Sequence, residues 1–165
     1  MKLKHKIYRK LFGTTKYLRK MGINVGDNCN IYSDIVNSEP WLIHIGNNVT
    51  ISNDVQLITH DNSICKSSDM TDFFGEIHIG NNVFVGAHSI ILYGVSIADN
   101  VIIGCGSVVT KSITEPGCIY AGNPAKQIGS VKDFTEKYLP YSINIDNLNK
   151  RQRKEAILAS KKVSK

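Results

Sequence analysis

After Gly22 an aliphatic residue returns at every sixth position, and this rhythm limits the folds open to the chain more than any other feature. It runs through Val25 and Ile31, through Ile45, Ile51 and Leu57, and then without a slip through Ile79, Val85, Ile91, Ile97, Ile103 and Val109. A period of six is neither the period of a half-buried strand nor that of a helix. Within each unit position two is often Gly, positions three and four are often Asn or Asp, and position five is small or β-branched. Such a unit reads as a very short strand with its aliphatic side chain inward, followed by a turn whose Gly and Asn accept positive φ. Three such sides make one triangular coil of a parallel β-helix, and stacked coils bury aliphatic ladders that one coil alone cannot. The expected fold class is therefore an all-β solenoid, a parallel β-helix of hexapeptide repeats. A β-sandwich would need longer strands and a looser period.

The rhythm fails twice. Residues 37–42 interrupt the sixes, and a longer excursion over 60–76, "HDNSICKSSDMTDFFGE", separates Leu57 from Ile79. The excursion is polar, carries Phe73 and Phe74 near its far end, and starts at a histidine. A loop that leaves a rigid wall beside a histidine is suited to covering a substrate cleft. The solenoid is expected over residues 22–130. Ahead of it, residues 1–21 form a basic segment with Leu3, Ile7, Leu11, Tyr17, Leu18 and Met21 on a helical face. Behind it, residues 131–165 form a tail with one helix around 149–160.

Charge is divided along the chain. Residues 1–20 hold eight Lys/Arg and no acid, residues 150–165 hold seven against Glu155, and the body between holds five against thirteen acids. An acidic body without a basic stripe argues against nucleic acid as a partner. The basic ends suit weak contact with an anionic membrane surface, or simple solvation. No apolar run reaches the length of a membrane span, and the basic start lacks the apolar stretch of a signal peptide, so a cytoplasmic location is expected. Cys29, Cys65, Cys105 and Cys118 form no CxxC pair and have no histidines at ligand spacing, so they are expected to be reduced and mostly buried, with no bound metal.

The stretches "IHIGNNVTIS", "IHIGNNVFVGAHSIILYGVSIADNVIIGCGSVVTKSI" and "IYAGNPAKQIG" resemble the hexapeptide-repeat acyltransferases. The likeness is to the branch with maltose and galactoside O-acetyltransferases and the sugar O-acetyltransferases of bacterial surface-polysaccharide pathways. It covers about residues 22–130, and the "VVTK…AGNPAK" ending is its most specific part. The resemblance implies a left-handed coil, where general rules for parallel crossovers favour the right hand. It also implies acetyl-CoA as cosubstrate, a sugar acceptor, no required metal, and a homotrimer in which neighbouring chains share a groove.

Acyl transfer from a thioester to a hydroxyl needs a base for the departing proton and donors for the developing oxyanion. Imidazole suits the base. His5 lies in the basic leader, and His44 and His78 precede "IG" turns where alternation turns them outward. That leaves His60, at the start of the excursion, and His88, at a repeat corner. The resemblance places the family's catalytic histidine at His60, although the context here is "ITHD" where the family has "THP" or "TGHP". His60 is preferred, and His88 remains as rival or as a substrate contact. Asp34 resembles a polar residue that the family sets opposite the histidine, for substrate contact or for orienting the ring. Trp41 offers a flat face to a sugar ring, and Asn37 and Glu39 lie near enough in sequence to line the same pocket. For the coenzyme, the resemblance carries Ala87 and Cys105 onto positions that touch pantetheine, the Ala87 amide also onto the oxyanion. It carries Thr110 and Lys111 onto the nucleotide end, Lys126 onto a basic residue near the phosphates, and Phe84 onto an aromatic wall.

Three alternatives stand beside sugar O-acetylation. An N-acyltransferase on an amino sugar or other amine uses the same scaffold. A γ-type carbonic anhydrase needs a cluster of zinc-binding histidines, and His78 and His88 are ten apart with no third partner between them. A non-catalytic scaffold has no use for His60, its loop and the "VVTK…AGNPAK" ending together.

Overall fold

The computed structural model describes residues 13–35 and 37–164. Helix α1 (Thr14–Met21) leads into β1 (Asn24–Val25), β2 (Asn30–Ile31), β3 (Ile43–Ile45), β4 (Thr50–Ile51) and β5 (Gln56–Leu57). A small hairpin of β6 (His60–Asp61) and β7 (Phe73–Phe74) interrupts the series. It resumes with β8 (Ile77–Ile79), β9 (Phe84–Val85), β10 (Ile90–Ile91), β11 (Ser96–Ile97), β12 (Ile102–Ile103) and β13 (Val108–Val109). Strands β14 (Cys118–Ala121) and β15 (Lys126–Ser130) are followed by α2 (Val131–Tyr138) and α3 (Lys150–Ala159). The part of the basic leader before Gly13, with its Leu3, Ile7 and Leu11 face, lies outside the described residues.

The strands stack in parallel into three walls. The first is β1-β3-β8-β11, the second runs β2-β4-β9-β12-β14, and the third is β5-β10-β13. The chain passes through the first, second and third wall in turn and then starts again, so each circuit is one three-sided coil. Register keeps the sixth residues in columns: Val25↔Ile45↔Ile79↔Ile97 on the first wall, Ile31↔Ile51↔Val85↔Ile103 on the second, Leu57↔Ile91↔Val109 on the third. All eleven are buried, and Ile51, Val85, Ile91 and Ile103 entirely so. The residue before each of them faces out, as the two-residue period of a strand requires. Position five adds a second inward set, with Val49, Val55, Val83, Val95 and Val101 also buried.

Two-residue strands leave the corners to close the coil. At the edge between the first and second walls Asn28, Asn48, Asn82 and Asn100 all adopt φ between 55° and 59°. Asparagine tolerates this left-handed region because its short amide bonds locally. Here the amides also join coil to coil, Asn48 Nδ2 donating to Asn82 Oδ1 and Asn82 Nδ2 to Asn100 Oδ1, each at 2.7 Å. A parallel row beside it uses the backbone: Asp27 N–H donates to Asn47 Oδ1, Asn47 N–H to Asn81 Oδ1, and Asn81 N–H to Asp99 Oδ1. The Asn81 N–H holds the Asp99 carboxyl below its ordinary range.

Both ends of the stack are covered. Tyr17 and Leu18 of α1 are buried in the core, and Arg19 donates to the carbonyls of Val25 and Gly26 and pairs with Asp27. At the far end β15 pairs antiparallel with β14. Ser130 caps α2, and Asn149 with Gln152 forms a capping box on α3. All four cysteines are free, but Cys65 and Cys105 are exposed, because both stand on corners or loops rather than at inward positions; the expectation of mostly buried thiols is corrected for these two. Among the described residues no helix is long and apolar enough to cross a membrane.

Because Ile91 sits wholly inside the third column, Ile91→Ala is expected to cost about 2–5 kcal/mol of unfolding free energy in urea titrations. Gln56→Ala, on the outer side of the same wall, is expected to stay within about 0.5 kcal/mol.

Candidate active site

The two lapses in the six-residue rhythm fall at the same edge of the prism, between the third wall and the first. Residues 37–42 leave the first coil there, and the 60–76 excursion leaves the second coil directly beside them. Asn37 ties the shorter segment down, its Nδ2 donating to the Leu57 carbonyl at 2.8 Å. Its Oδ1 accepts from the Glu39 N–H and from the hydroxyl of Thr59, a buried residue. The turn Pro40–Leu42 then carries the chain back to the wall.

This anchoring aims Glu39 at His60. Glu39 Oε2 lies 2.9 Å from His60 Nδ1 and 2.8 Å from the Thr59 hydroxyl. Burial alone would raise the Glu39 carboxyl; the hydrogen bonds from Thr59 and His60 and the charge of the imidazole outweigh it, so the group is held below its ordinary value. An ionised Glu39 can only accept at Nδ1, so in the neutral ring the lone pair lies on Nε2. The carboxylate side chain is only 15% exposed whereas that of the histidine is 42% exposed, so a sheltered carboxylate holds a ring that reaches solvent.

The excursion folds back on the same residues. His60 pairs with Phe74 and Asp61 with Phe73 across the β6–β7 hairpin, and the rings of His60 and Phe74 lie 5.9 Å apart. Asp61 fixes the backbone here, with Oδ1 accepting from the Ser63 N–H and Oδ2 from the Tyr93 hydroxyl at 3.2 Å. The Ser63 backbone, then its side chain, and Tyr93 lower the Asp61 carboxyl against the opposing effect of burial. Tyr93, from the next coil, meets Phe73 edge-on at 4.9 Å. At the loop's return a Cβ on Gly75 would lie 2.4 Å from the Gly94 nitrogen, so only glycine permits this approach.

Asp34 stands elsewhere. It occupies the edge between the second and third walls, in the column that continues through Asp54 and His88. Within one chain the carboxylate beside His60 is that of Glu39, because Asp34 precedes the irregular segment and Glu39 lies within it. His88 is exposed at a left-handed φ of 59°, with Nδ1 3.9 Å from Asp54 Oδ2. Trp41 is 63% exposed on the turn next to Glu39. Ala87 and Cys105 occupy successive coils at the His88 edge, where Gly86 N–H donates to the Ile103 carbonyl and Gly106 N–H to that of Ala87. Phe84 faces outward from the second wall. Thr110 and Lys111 are exposed at the His60 edge, two coils further on, and Lys126 is exposed on β15. Within one chain Asp34, Ala87, His88 and Cys105 lie at one edge of the third wall and His60, Thr110 and Lys111 at the other, while Phe84 stands on the second wall and Lys126 on β15. A hollow of about 260 Å³ over the second wall, lined by Thr50, Phe84, Ile102 and Val131 among others, does not include His60. The Glu39, Thr59 and Tyr93 contacts were not anticipated; the available signal was that both lapses occur at one phase of the three-sided coil.

Comparison with known proteins agrees with this architecture. Residues 76–111 match the family model described as bacterial transferase hexapeptide (six repeats). Protein CapG of Staphylococcus aureus is 40% identical over 147 residues, which cover 86% of this chain and 85% of that protein. The crystal structure of a maltose O-acetyltransferase from Clostridium difficile 630 superposes with a TM-score of 0.62 at 28% identity, over 78% of this chain and 84% of that one. A hexapeptide-repeat acetyltransferase of Vibrio cholerae, crystallised with acetyl coenzyme A, aligns over 68% of this chain and 62% of its own with a TM-score of 0.57 and 27% identity. The repeats, the parallel three-walled coil and these likenesses converge: the chain belongs to the bacterial hexapeptide-repeat transferases and is an acetyltransferase of that family.

Proposed function

We propose that this enzyme moves an acetyl group from acetyl-CoA to a sugar hydroxyl, with His60 as general base and Glu39 as the residue that positions it. The observation that carries the reading is the Glu39–His60 pair at 2.9 Å, anchored by Thr59 and Asn37 at the mouth of the only long excursion in the repeats. A base needs one nitrogen held and the other free, and this arrangement supplies both. Acetyl-CoA brings the acyl group as an activated thioester. His60 Nε2 takes the acceptor's hydroxyl proton as the oxygen bonds to the acetyl carbon, and gives that proton to the sulfur as the carbon–sulfur bond breaks. Glu39 stabilises the imidazolium that exists between the two transfers. We assign the Ala87 N–H to the developing oxyanion; among the described residues it takes no part in the coil-to-coil hydrogen bonds.

For the coenzyme we assign Phe84 and Cys105 to the pantetheine arm, Thr110 and Lys111 to its nucleotide end, and Lys126 to its phosphates. Lysines suit that role in a body that is otherwise acidic. Trp41, Asp34 and His88 are assigned to the acceptor. Since Asp34, Ala87 and His88 stand at a different edge from His60, the reading requires a neighbouring chain to bring one edge opposite the other. A homotrimer of left-handed coils meets that requirement. The maltose O-acetyltransferase likeness supports a sugar acceptor, and we place the reaction in cytoplasmic synthesis of bacterial surface polysaccharide.

His60→Ala is expected to lower kcat by about 10²–10⁴-fold while calorimetry finds CoA binding unchanged. Unaltered turnover would move the base to His88. Screening hydroxyl and amino sugars for acetyl-CoA consumption separates O- from N-acetylation, and substantial turnover of amines alone would overturn the O-acetyl assignment. Glu39→Gln is expected to lower kcat by about 10²-fold or more with little change in KM, because the amide still fills the site but carries no charge to balance the imidazolium. The same variant reports on stability. A carboxyl whose folded value lies below its ordinary 4.5 contributes stability above that pH and loses it as pH falls through the folded value. Wild type should thus lose more stability on acidification below about pH 4.5 than Glu39→Gln does; parallel urea midpoints would count against an ionised, paired Glu39.

A further inference from the structure

The motif "IHIG" occurs twice, and the fold lays one copy on the other. Strands β3 and β8 pair so that His44 stands directly opposite His78, with Ile43↔Ile77 and Ile45↔Ile79 on either side. The four isoleucines are buried, so both histidines project from the outer side of the first wall. Their rings stack with centroids 4.5 Å apart and planes within 8°. Glu76, the last residue of the excursion, lies on the same outer side, with Oε2 2.7 Å from His78 Nε2. One ligand atom from each of His44, Glu76 and His78 falls within 4.8 Å of the others, the only such trio found among the described residues.

We propose that His44, Glu76 and His78 form a binding site for a divalent transition-metal ion, separate from the His60 machinery. Two imidazoles and one carboxylate are a ligand set suited to zinc, nickel or cobalt, and poorly suited to magnesium or calcium, which prefer oxygen alone. In a tetrahedral site with bonds near 2.0–2.1 Å, ligand atoms are separated by roughly 3.3 Å. Rotation of the two rings about their Cβ–Cγ bonds is the adjustment the site requires, on a wall held by the paired strands and the buried isoleucines. Three protein ligands leave the fourth position to water. The ion would join the coil before the excursion to the coil after it, at the residue where the excursion returns, and so fasten its exit to the wall.

The test uses the untagged full-length protein, stripped with chelator and dialysed, and titrated by calorimetry with ZnCl₂ and NiCl₂, with MgCl₂ as control. One zinc per chain is expected, with a raised unfolding temperature and no response to magnesium. His44→Gln and His78→Gln are each expected to weaken zinc by at least about tenfold and to abolish the thermal shift, with Glu76→Gln intermediate. Circular dichroism would establish that the variants keep the wild-type fold. In the visible spectrum, CoCl₂ should give the bands of a tetrahedral nitrogen and oxygen site. Unchanged zinc binding in the His44→Gln/His78→Gln double variant, a thiolate charge-transfer band with cobalt, or no saturable binding would each overturn the proposal.

Discussion

Coil-to-coil registration is the constraint from which the rest of the structure follows. Each wall is joined by strands of two to four residues, too short to hold a register on their own. The corners supply what the strands lack, since left-handed asparagines turn the chain within a fixed number of residues and pass an amide hydrogen bond to the coil above. A slip by one residue would turn every buried aliphatic side chain outward, so the hydrophobic columns and the amide rows enforce the same alignment. That alignment survives interruption. Asn47 and Asn81 are 34 residues apart and Asn81 and Asp99 are 18 apart, yet both pairs make the same bond.

The candidate site exploits this tolerance. Extra chain is pushed out of the wall at one edge only, and it leaves two coils in succession, so segments distant in sequence become neighbours. Glu39 and His60 meet because each is tied to the wall within two residues of the pair: Glu39 through Asn37, His60 through the buried Thr59. Asp61 shows how a carboxylate can fix a turn that begins an excursion. When ionised, it bridges the Ser63 amide and the Tyr93 hydroxyl. Its ionisation is favoured by those bonds, and burial together with Asp61 raises the Tyr93 phenol in return.

What the sequence makes legible is whatever repeats. Ile79 through Val109 declare the columns, Asn28, Asn48, Asn82 and Asn100 declare one corner, and the lapse after Leu57 draws attention to His60. What it conceals is whatever depends on phase between coils. Asp34 and Glu39 are five residues apart and chemically similar, but one precedes the departure from the wall and the other follows it, so they face different edges. His44 and His78 each look like an outward side chain before a turn, and only the pairing of β3 with β8 makes them a stack. The exposure of Cys65 and Cys105 likewise depends on their loop and corner positions rather than on the hydrophobicity of a thiol.

A departure and return at the same edge has a consequence for how such enzymes diversify. Because the wall closes beneath the excursion with Gly75 against Gly94, the length and content of residues 61–74 are uncoupled from every column in the core. Residues 37–42 are held more closely, through the bonds of Asn37 to Leu57 and Thr59. The excursion can therefore vary in length, whereas the coils after Ile79 keep the six-residue period with no slack. Sequence can drift within the excursion while the coils beneath it stay still.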